Sequence, residues 1–167
     1  ITRGNEIGVE AVTITKITPL YTTFTLDSVM TGEAGARYMI VVVREAAPRP
    51  GDRGRKMTGA TLNEKNKEGF IIREVKGPPA EPTDLVLELT DTGERGSLSK
   101  NKPFKRVEGY MADVKYPLDN RTWSNQRIGG RIRIANEDYN IVYIGTNEVV
   151  LSALSGKKTS RPFNPGP

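Results

Sequence analysis

The sequence contains neither cysteine nor histidine among its 167 residues. Without cysteine there is no disulfide framework, no thiolate nucleophile and no cysteine-based metal site. Without histidine the usual zinc sites and the Ser-His-Asp and Cys-His types of catalysis are excluded as well. An enzyme of this composition would depend on carboxylates, lysine, tyrosine or a borrowed cofactor. We therefore predict a protein that is not an enzyme, with no catalytic residue, no metal site and no cofactor of its own.

Long apolar runs are also absent. The longest, residues 38–43, has the length of a buried strand, whereas a membrane helix needs about 20 apolar residues. The chain starts at Ile1 without a basic and then apolar leader. This start is compatible with a processed signal sequence or a trimmed chain, and the lack of cysteine fits export without disulfide chemistry.

Helical periodicity is scarce, and alternation of apolar and polar residues prevails. Alternation with period two is typical of β-strands with one buried face. We predict an all-β protein of the antiparallel β-sandwich type, with little or no helix, a loop at 116–124 and a Pro/Gly tail at 161–167. About ten strands are expected, at residues 9–17, 21–29, 36–45, 56–63, 70–75, 84–90, 107–115, 127–135, 139–144 and 148–154.

The two halves of the chain match each other in order, which predicts a degenerate duplication. This predicts two related β-meander units, at residues 1–103 and 104–160, followed by the tail. The alternative, that any two β-meanders match at alternating apolar positions, stays open, as does the choice between two domains and one merged sandwich. The matched landmarks are 38–39 with 110–111, 57–59 with 128–130, 70–75 with 139–144, 84–87 with 148–151, and 93–95 with 156–158.

A net charge of +5 favours acidic partners. Most basic residues stand beside Gly, Pro or Asn, which favours solvated loops and strand faces. Arg127, Arg131 and Arg133, however, have the odd spacing that places side chains on one side of a strand. Beside Tyr139 or Tyr143 they would form a basic surface of a β-barrel, and one alternative function is therefore binding of nucleic acid or another anionic polymer such as a glycan.

Trp123, in the expected loop at 116–124, is the best single candidate for a recognition residue. Aromatic side chains on loops often anchor contacts, but Trp123 can equally cover one end of the core. Its neighbour Arg121 is a second candidate contact or an ordinary surface charge. A carbohydrate-binding module that uses Trp123 and nearby asparagines is a further alternative.

Two other patterns have structural explanations. Asp113, Asp119, Glu137 and Asp138 could be imagined as paired carboxylates for acid–base hydrolysis, but nothing in their spacing brings them together. Gly129 and Gly130 lack the strand-to-helix context of a phosphate-binding loop, which favours a bulge or a close approach within a strand.

The segment 109–158 contains a glycine-led strand, a Tyr-x-Ile-x-x-Ile strand at 139–144 and a Val-Val-Leu strand at 149–151, followed by a glycine turn. This pattern resembles the compact β module of periplasmic pilus-assembly and type II secretion accessory proteins. It particularly resembles the pilus-associated proteins of verrucomicrobial gut bacteria, which are described as immunoglobulin-like β-sandwiches. The resemblance covers about a third of the chain.

The resemblance implies a non-catalytic structural or interaction component of an extracytoplasmic, type IV pilus-like or secretion assembly, in the periplasm or at the cell surface of a Gram-negative bacterium. The partners would be other pilus or secretion subunits, contacted by strand addition or through loops. The Pro-rich tail at 161–167 is a further segment that would dock on a partner in extended form. No individual site residue is carried over from the resemblance.

Overall fold

A computed structural model describes residues 8–163 of the chain, and the architecture of these residues is all-β, as predicted. The described residues form twelve strands and two short 3-10 helices, Pro50–Asp52 and Pro117–Asp119, and residues 8–10 are α-helical. The strands are β1 (Thr13–Gly32), β2 (Gly35–Arg44), β3 (Lys56–Ala60), β4 (Phe70–Lys76), β5 (Asp84–Leu89), β6 (Arg95–Leu98), β7 (Phe104–Tyr116), β8 (Arg121–Gln126), β9 (Arg131–Ile134), β10 (Glu137–Ile144), β11 (Glu148–Ala153) and β12 (Lys158–Pro162).

The first strand departs from the prediction. We expected separate strands before and after Pro19, but β1 is continuous over 20 residues. Proline fixes φ near a value that an extended strand tolerates and removes only one backbone donor, so a single proline does not end a strand. The inward alternation also continues past Pro19, with Leu20, Phe24 and Leu26 all buried.

Three strands were not predicted. β6 and β12 are short and polar, and β8 lies where a loop was expected. Their sequences lack the alternating large apolar residues by which the other strands are recognised, because each buries little. The expected tail at 161–167 therefore begins inside β12, and Phe163 forms a parallel bridge with Ile14. The remainder of the tail, residues 164–167, lies outside the described residues.

The chain divides into two compact units, which we call unit 1 (Ile1–Leu20 and Glu108–Pro167) and unit 2 (Tyr21–Val107). Each unit has its own hydrophobic cluster. The expected division was 1–103 and 104–160, and the difference lies mainly in the first twenty residues, which belong to unit 1. The reason is that Val12 and Ile14 are fully buried in the unit 1 cluster.

All pairings between named strands are antiparallel, in sheets with the orders β3-β2-β1-β7-β8, β4-β5-β6 and β12-β11-β10-β9. In unit 2, β2 pairs with β1 and β3, and the core is formed with the meander β4-β5-β6. Within that core Phe24 packs edge-on against Phe70, with ring centroids 5.5 Å apart, and stacks on Phe104 at 5.7 Å. In unit 1, the β7–β8 hairpin and the meander β10-β11-β12 both contribute to the core.

The meanders of the two units have the same register. Ile72 of β4 faces Leu87 of β5, and Ile141 of β10 faces Leu151 of β11. The register shifts immediately after each isoleucine, between Ile72 and Glu74 and between Ile141 and Tyr143. A bulge at the same place in both pairs bends both strands at the same place.

The landmarks 57–59 and 128–130 are not equivalent. Residues 57–59 lie within β3, whereas 128–130 form the turn before β9. Instead, the N–H of Asn63 donates to the carbonyl of Ile72 (2.7 Å), and the N–H of Gly129 donates to that of Ile141 (2.8 Å). Asn63 and Gly129 both have positive φ, 61° and 92°, so Asn63 is the structural counterpart of Gly129.

Candidate interaction surfaces

Trp123 lies on strand β8, opposite Val114 of β7, and not in a loop as predicted. The chain reverses earlier, through the 3-10 helix Pro117–Asp119 and Asn120, which adopts the left-handed conformation at φ 51°. Residues 121–126 are therefore free to pair with β7 as the second strand of a hairpin. β8 is a terminal strand of its sheet, which is consistent with a sequence that is polar at every position except Trp123.

The Trp123 side chain is partly buried and packs against the core of unit 1. The guanidinium carbon of Arg121 lies 4.9 Å from the ring centroid, within the range of a cation–π interaction. Trp123 therefore combines core packing with a contact to its own neighbour. Arg121 occupies a ring face on which a sugar would stack.

A bulge distorts the middle of β8. The register shifts between Ala112 and Val114, and Asn125 takes φ 54°. The N–H of Asn125 donates to Oδ1 of Asp113 at 2.8 Å. Asp113, one of the carboxylates considered for acid–base chemistry, thus accepts a hydrogen bond that holds the bulge. A bulge of this kind twists an edge strand away from regular pairing.

The three arginines predicted on one strand face do not share a strand. β9 contains only residues 131–134, so Arg131 and Arg133 are exposed on it, while Arg127 lies in the preceding turn and is half-buried. The turn forms because Gly129 at φ 92° allows both its own N–H and the carbonyl of Gly130 to bond with Ile141. The glycines therefore belong to a turn and not to a strand.

The two arginines on β9 already have partners. Arg133 forms an ion pair with Asp138 at 3.0 Å and donates to the carbonyl of Asn136 at 3.3 Å. Arg131 donates to Oδ1 of Asn140 at 3.4 Å. The positive charge on this face is thus partly balanced by the neighbouring strand β10.

The tyrosines expected beside these arginines are in different environments. Tyr139 is buried, and its hydroxyl donates to Glu137 at 3.3 Å. Burial, followed by the Glu137 charge, raises the pKa of Tyr139 above its usual value. Tyr143 is 51% exposed. Only Tyr143 has a ring accessible for stacking on a base.

Unit 2 contains a cleft of about 920 Å³ that the sequence did not reveal. It is lined by residues of β2, the end of β3, the segment after β3 and the Pro-rich loop between β4 and β5. Arg37, Gly59, Thr61, Lys65 and Pro79 are among these residues. The sequence signals that could have indicated it are the length of the 77–83 loop and the glycine inside β3.

The Pro-rich loop is fixed at both ends and in its middle. Gly77 has φ 83°, and both the N–H and the hydroxyl of Thr83 donate to the carbonyl of Lys76, at 2.8 and 3.2 Å. The hydroxyl of Tyr38 donates to the carbonyl of Pro79 at 2.8 Å. Burial raises the pKa of Tyr38 above its usual value. The wall of the cleft is therefore held in place by hydrogen bonds.

Two further findings concern residues 8–163. None of their helices is long and apolar enough to cross a membrane. Nor does this part of the chain bring together three or more acidic side chains in an arrangement that would hold a metal ion.

Comparisons with family models, with curated proteins and with solved structures find no match to this chain.

Proposed function

We propose that this protein is a non-catalytic interaction component of an extracytoplasmic assembly, of the type IV pilus-like or secretion type, and that it contacts partner chains along an exposed sheet edge. One observation carries the proposal. β3 is a terminal strand of its sheet, and it pairs with β2 over five consecutive residue pairs without a register shift. A regular edge strand presents backbone donors and acceptors that a partner strand can satisfy.

The two terminal strands of this sheet differ in suitability. The bulge at Asn125 interrupts β8, and Trp123 there packs against the core. β3 has no such interruption, and it carries Met57, which is 53% exposed. Natural edge strands are commonly protected by bulges and charges, so the more regular strand is the better docking edge.

The experiment is site-specific photo-crosslinking in native cells, followed by fractionation and mass spectrometry. A crosslinking amino acid at Met57 is expected to capture pilus or secretion subunits from the envelope fraction. The matched control is Leu154, which is 77% exposed on the turn between β11 and β12 of unit 1 and belongs to neither strand. Recovery only in the cytosol, or identical capture from both positions, would contradict the proposal.

Binding of nucleic acid or an anionic polymer is the second candidate, because Arg131 and Arg133 are both exposed on β9. It predicts oligonucleotide retention that falls steeply with salt, because each neutralised phosphate releases counterions. The double variant Arg131→Gln, Arg133→Gln should then reduce both the retention and its salt dependence. Retention that is absent or insensitive to salt removes this candidate.

A further inference from the structure

We infer that the unit 2 cleft binds an extended, acidic peptide segment of a partner protein, through a carboxylate that pairs with Arg37. The inference rests on the proposed interaction function and names the chemistry of the partner at the β3 edge. It depends on three features of the cleft: a placed cation, an unsatisfied hydroxyl and an adjacent edge strand.

The cation is placed by a glycine. A Cβ atom at Gly59 would lie 2.7 Å from Cζ and Nη2 of Arg37, closer than real Cβ contacts. The Arg37 side chain therefore lies over the backbone of β3, in space that only a glycine leaves open. Arg37 is exposed, and no hydrogen bond or ion pair occupies its guanidinium within the described part of the chain. A planar guanidinium that lies at the wall of a cleft matches the two oxygens of a carboxylate.

The unsatisfied group is the hydroxyl of Thr61. Its Oγ1 atom is buried and, among the residues described, has no hydrogen-bond partner. A buried hydroxyl that is left unpaired destabilises the protein, because it has lost its hydrogen bonds to water. Thr61 lines the cleft, so this unpaired polar group lies beside the space that a bound chain would fill.

The surroundings favour a peptide over a small anion. The cleft, at about 920 Å³, is large for a single carboxylate or phosphate. Its charged side chains include Lys65 and Glu64 beside Arg37, and its apolar ones include Val75 and Leu62. β3 ends at this cleft, and no strand among residues 8–163 pairs with its outer edge, which therefore offers backbone hydrogen bonds to an extended chain.

The walls are also formed before binding. The Tyr38–Pro79 hydrogen bond and the two bonds from Thr83 hold the Pro-rich loop. A site that is already ordered loses less conformational entropy on binding, which increases affinity.

The test is selection of a displayed library of short random peptides on the full chain, followed by fluorescence anisotropy with the selected peptides. We expect enrichment of Asp or Glu, and binding that weakens as salt is raised. Arg37→Gln should weaken binding about 10-fold, the effect of losing one charge-assisted contact. The matched control is Arg55→Gln, because Arg55 is also exposed and precedes β3 but does not line the cleft.

A second variant separates position from charge. Gly59→Ala retains Arg37 but forces its guanidinium to move, and the displaced atoms belong to a flexible side chain. It should weaken peptide binding by a similar factor while the melting temperature stays close to that of the parent. Inorganic phosphate and acetate, tested as competitors, should compete only weakly if the peptide backbone contributes.

Three results would overturn the inference: selection without acidic enrichment, equal binding by the Arg37→Gln and Arg55→Gln variants, or complete competition by phosphate, which would indicate a simple anion site. The proposed function fails differently. Envelope crosslinks from Met57 that Arg37→Gln does not alter would leave the proposed function standing and remove the cleft from it. Acidic-peptide binding in vitro without any envelope partner would support the inference about the cleft and contradict the proposed function.

Discussion

The meanders of the two units share their hydrogen-bonded frame and differ in their loops. In unit 2, the N–H of Gly93 donates to Leu89 and the N–H of Leu89 donates to Glu94. In unit 1, Gly156 and Ala153 make the corresponding bonds, the latter to Lys157. Together with the shared bulge, these bonds give the two three-stranded meanders the same backbone arrangement, although their sequences differ.

The difference between the meanders lies at the preceding connection. In unit 1, β10 and β11 are joined by a short turn in which the N–H of Gly145 donates to Glu148 at 2.9 Å. In unit 2 the connection is the Pro-rich loop at 77–83, and this loop forms one wall of the cleft. A loop can lengthen without changing the strand register, so new surface arises at connections while the frame is kept.

The largest expected effect comes from truncating the equivalent core isoleucines. Ile72 and Ile141 are both fully buried, and each belongs to the cluster of its own unit. Ile→Ala at either position should lower the free energy of unfolding by about 2–5 kcal/mol, because transfer energy is lost and a cavity remains. Trp123, the single tryptophan, packs in unit 1, so its fluorescence in urea should respond more to Ile141→Ala than to Ile72→Ala. Equal shifts would mean that the two cores unfold together.

A smaller effect is expected at the two turn glycines. Gly93 and Gly156 have φ of 75° and 92°, and a Cβ atom at either would meet no atom within 4 Å. Alanine there should cost about 1–2 kcal/mol, from backbone strain alone, and the same in both units. Gly54→Ala is the control, because its Cβ would also meet nothing within 4 Å and its φ is not in the left-handed region. Urea unfolding measures all three, and an unequal loss at Gly93 and Gly156 would mean that the turns are not equivalent.

The all-β architecture was predictable because most buried positions alternate along the strands. Ile132 and Ile134, for example, alternate with exposed arginines, and both are buried. Alternation cannot show a strand that buries little, so the sequence predicts a loop where β8 lies and places Trp123 in that loop. An aromatic residue among polar neighbours gives the same local signal in an exposed loop and on an edge strand.

The candidate surfaces were less predictable than the fold. The odd spacing of Arg127, Arg131 and Arg133 implies a common face only if one strand contains all three. Gly129, with its positive φ, lies in a turn that separates Arg127 from the strand of the other two. The cleft was not predicted because it joins residues distant in sequence, Arg37, Gly59 and Pro79, whose proximity depends on the pairing of β2 with β3 and on the Tyr38 hydrogen bond. The local pattern of apolar and polar residues shows neither the strand pairing nor the hydrogen bond.

Acid should affect a contact that only the unit 2 meander has. Glu88 of β5 accepts hydrogen bonds from Arg95 and Arg73, at 3.0 and 3.1 Å, whereas the matching position of β11 is Ser152. These hydrogen bonds, from Arg95 first and then Arg73, lower the pKa of Glu88 below its usual value. The stabilising contribution is therefore present above the unfolded-state pKa, about 4.3 for a glutamate, and is lost as pH falls through the lower folded-state pKa. Glu88→Gln should flatten the acid limb of the urea midpoint against pH, and an unchanged limb would assign it to other carboxylates.

Both units contain a contact between a cation and an aromatic ring, and the smallest expected effect comes from removing the cation. Arg121 lies over Trp123 at 4.9 Å in unit 1, and Lys105 lies over Tyr21 at 5.5 Å in unit 2. Arg121→Ala should cost about 0.5–1 kcal/mol, and Lys105→Ala less, because tryptophan is the stronger ring and the guanidinium also stacks. Arg121→Ala should also shift Trp123 emission to longer wavelength, since water replaces the guanidinium over the ring. Lys115→Ala, an exposed cation on β7 in the same unit, controls for the loss of one charge. If Lys115→Ala costs as much as Arg121→Ala, the contribution of Arg121 is its charge and not its position over the ring.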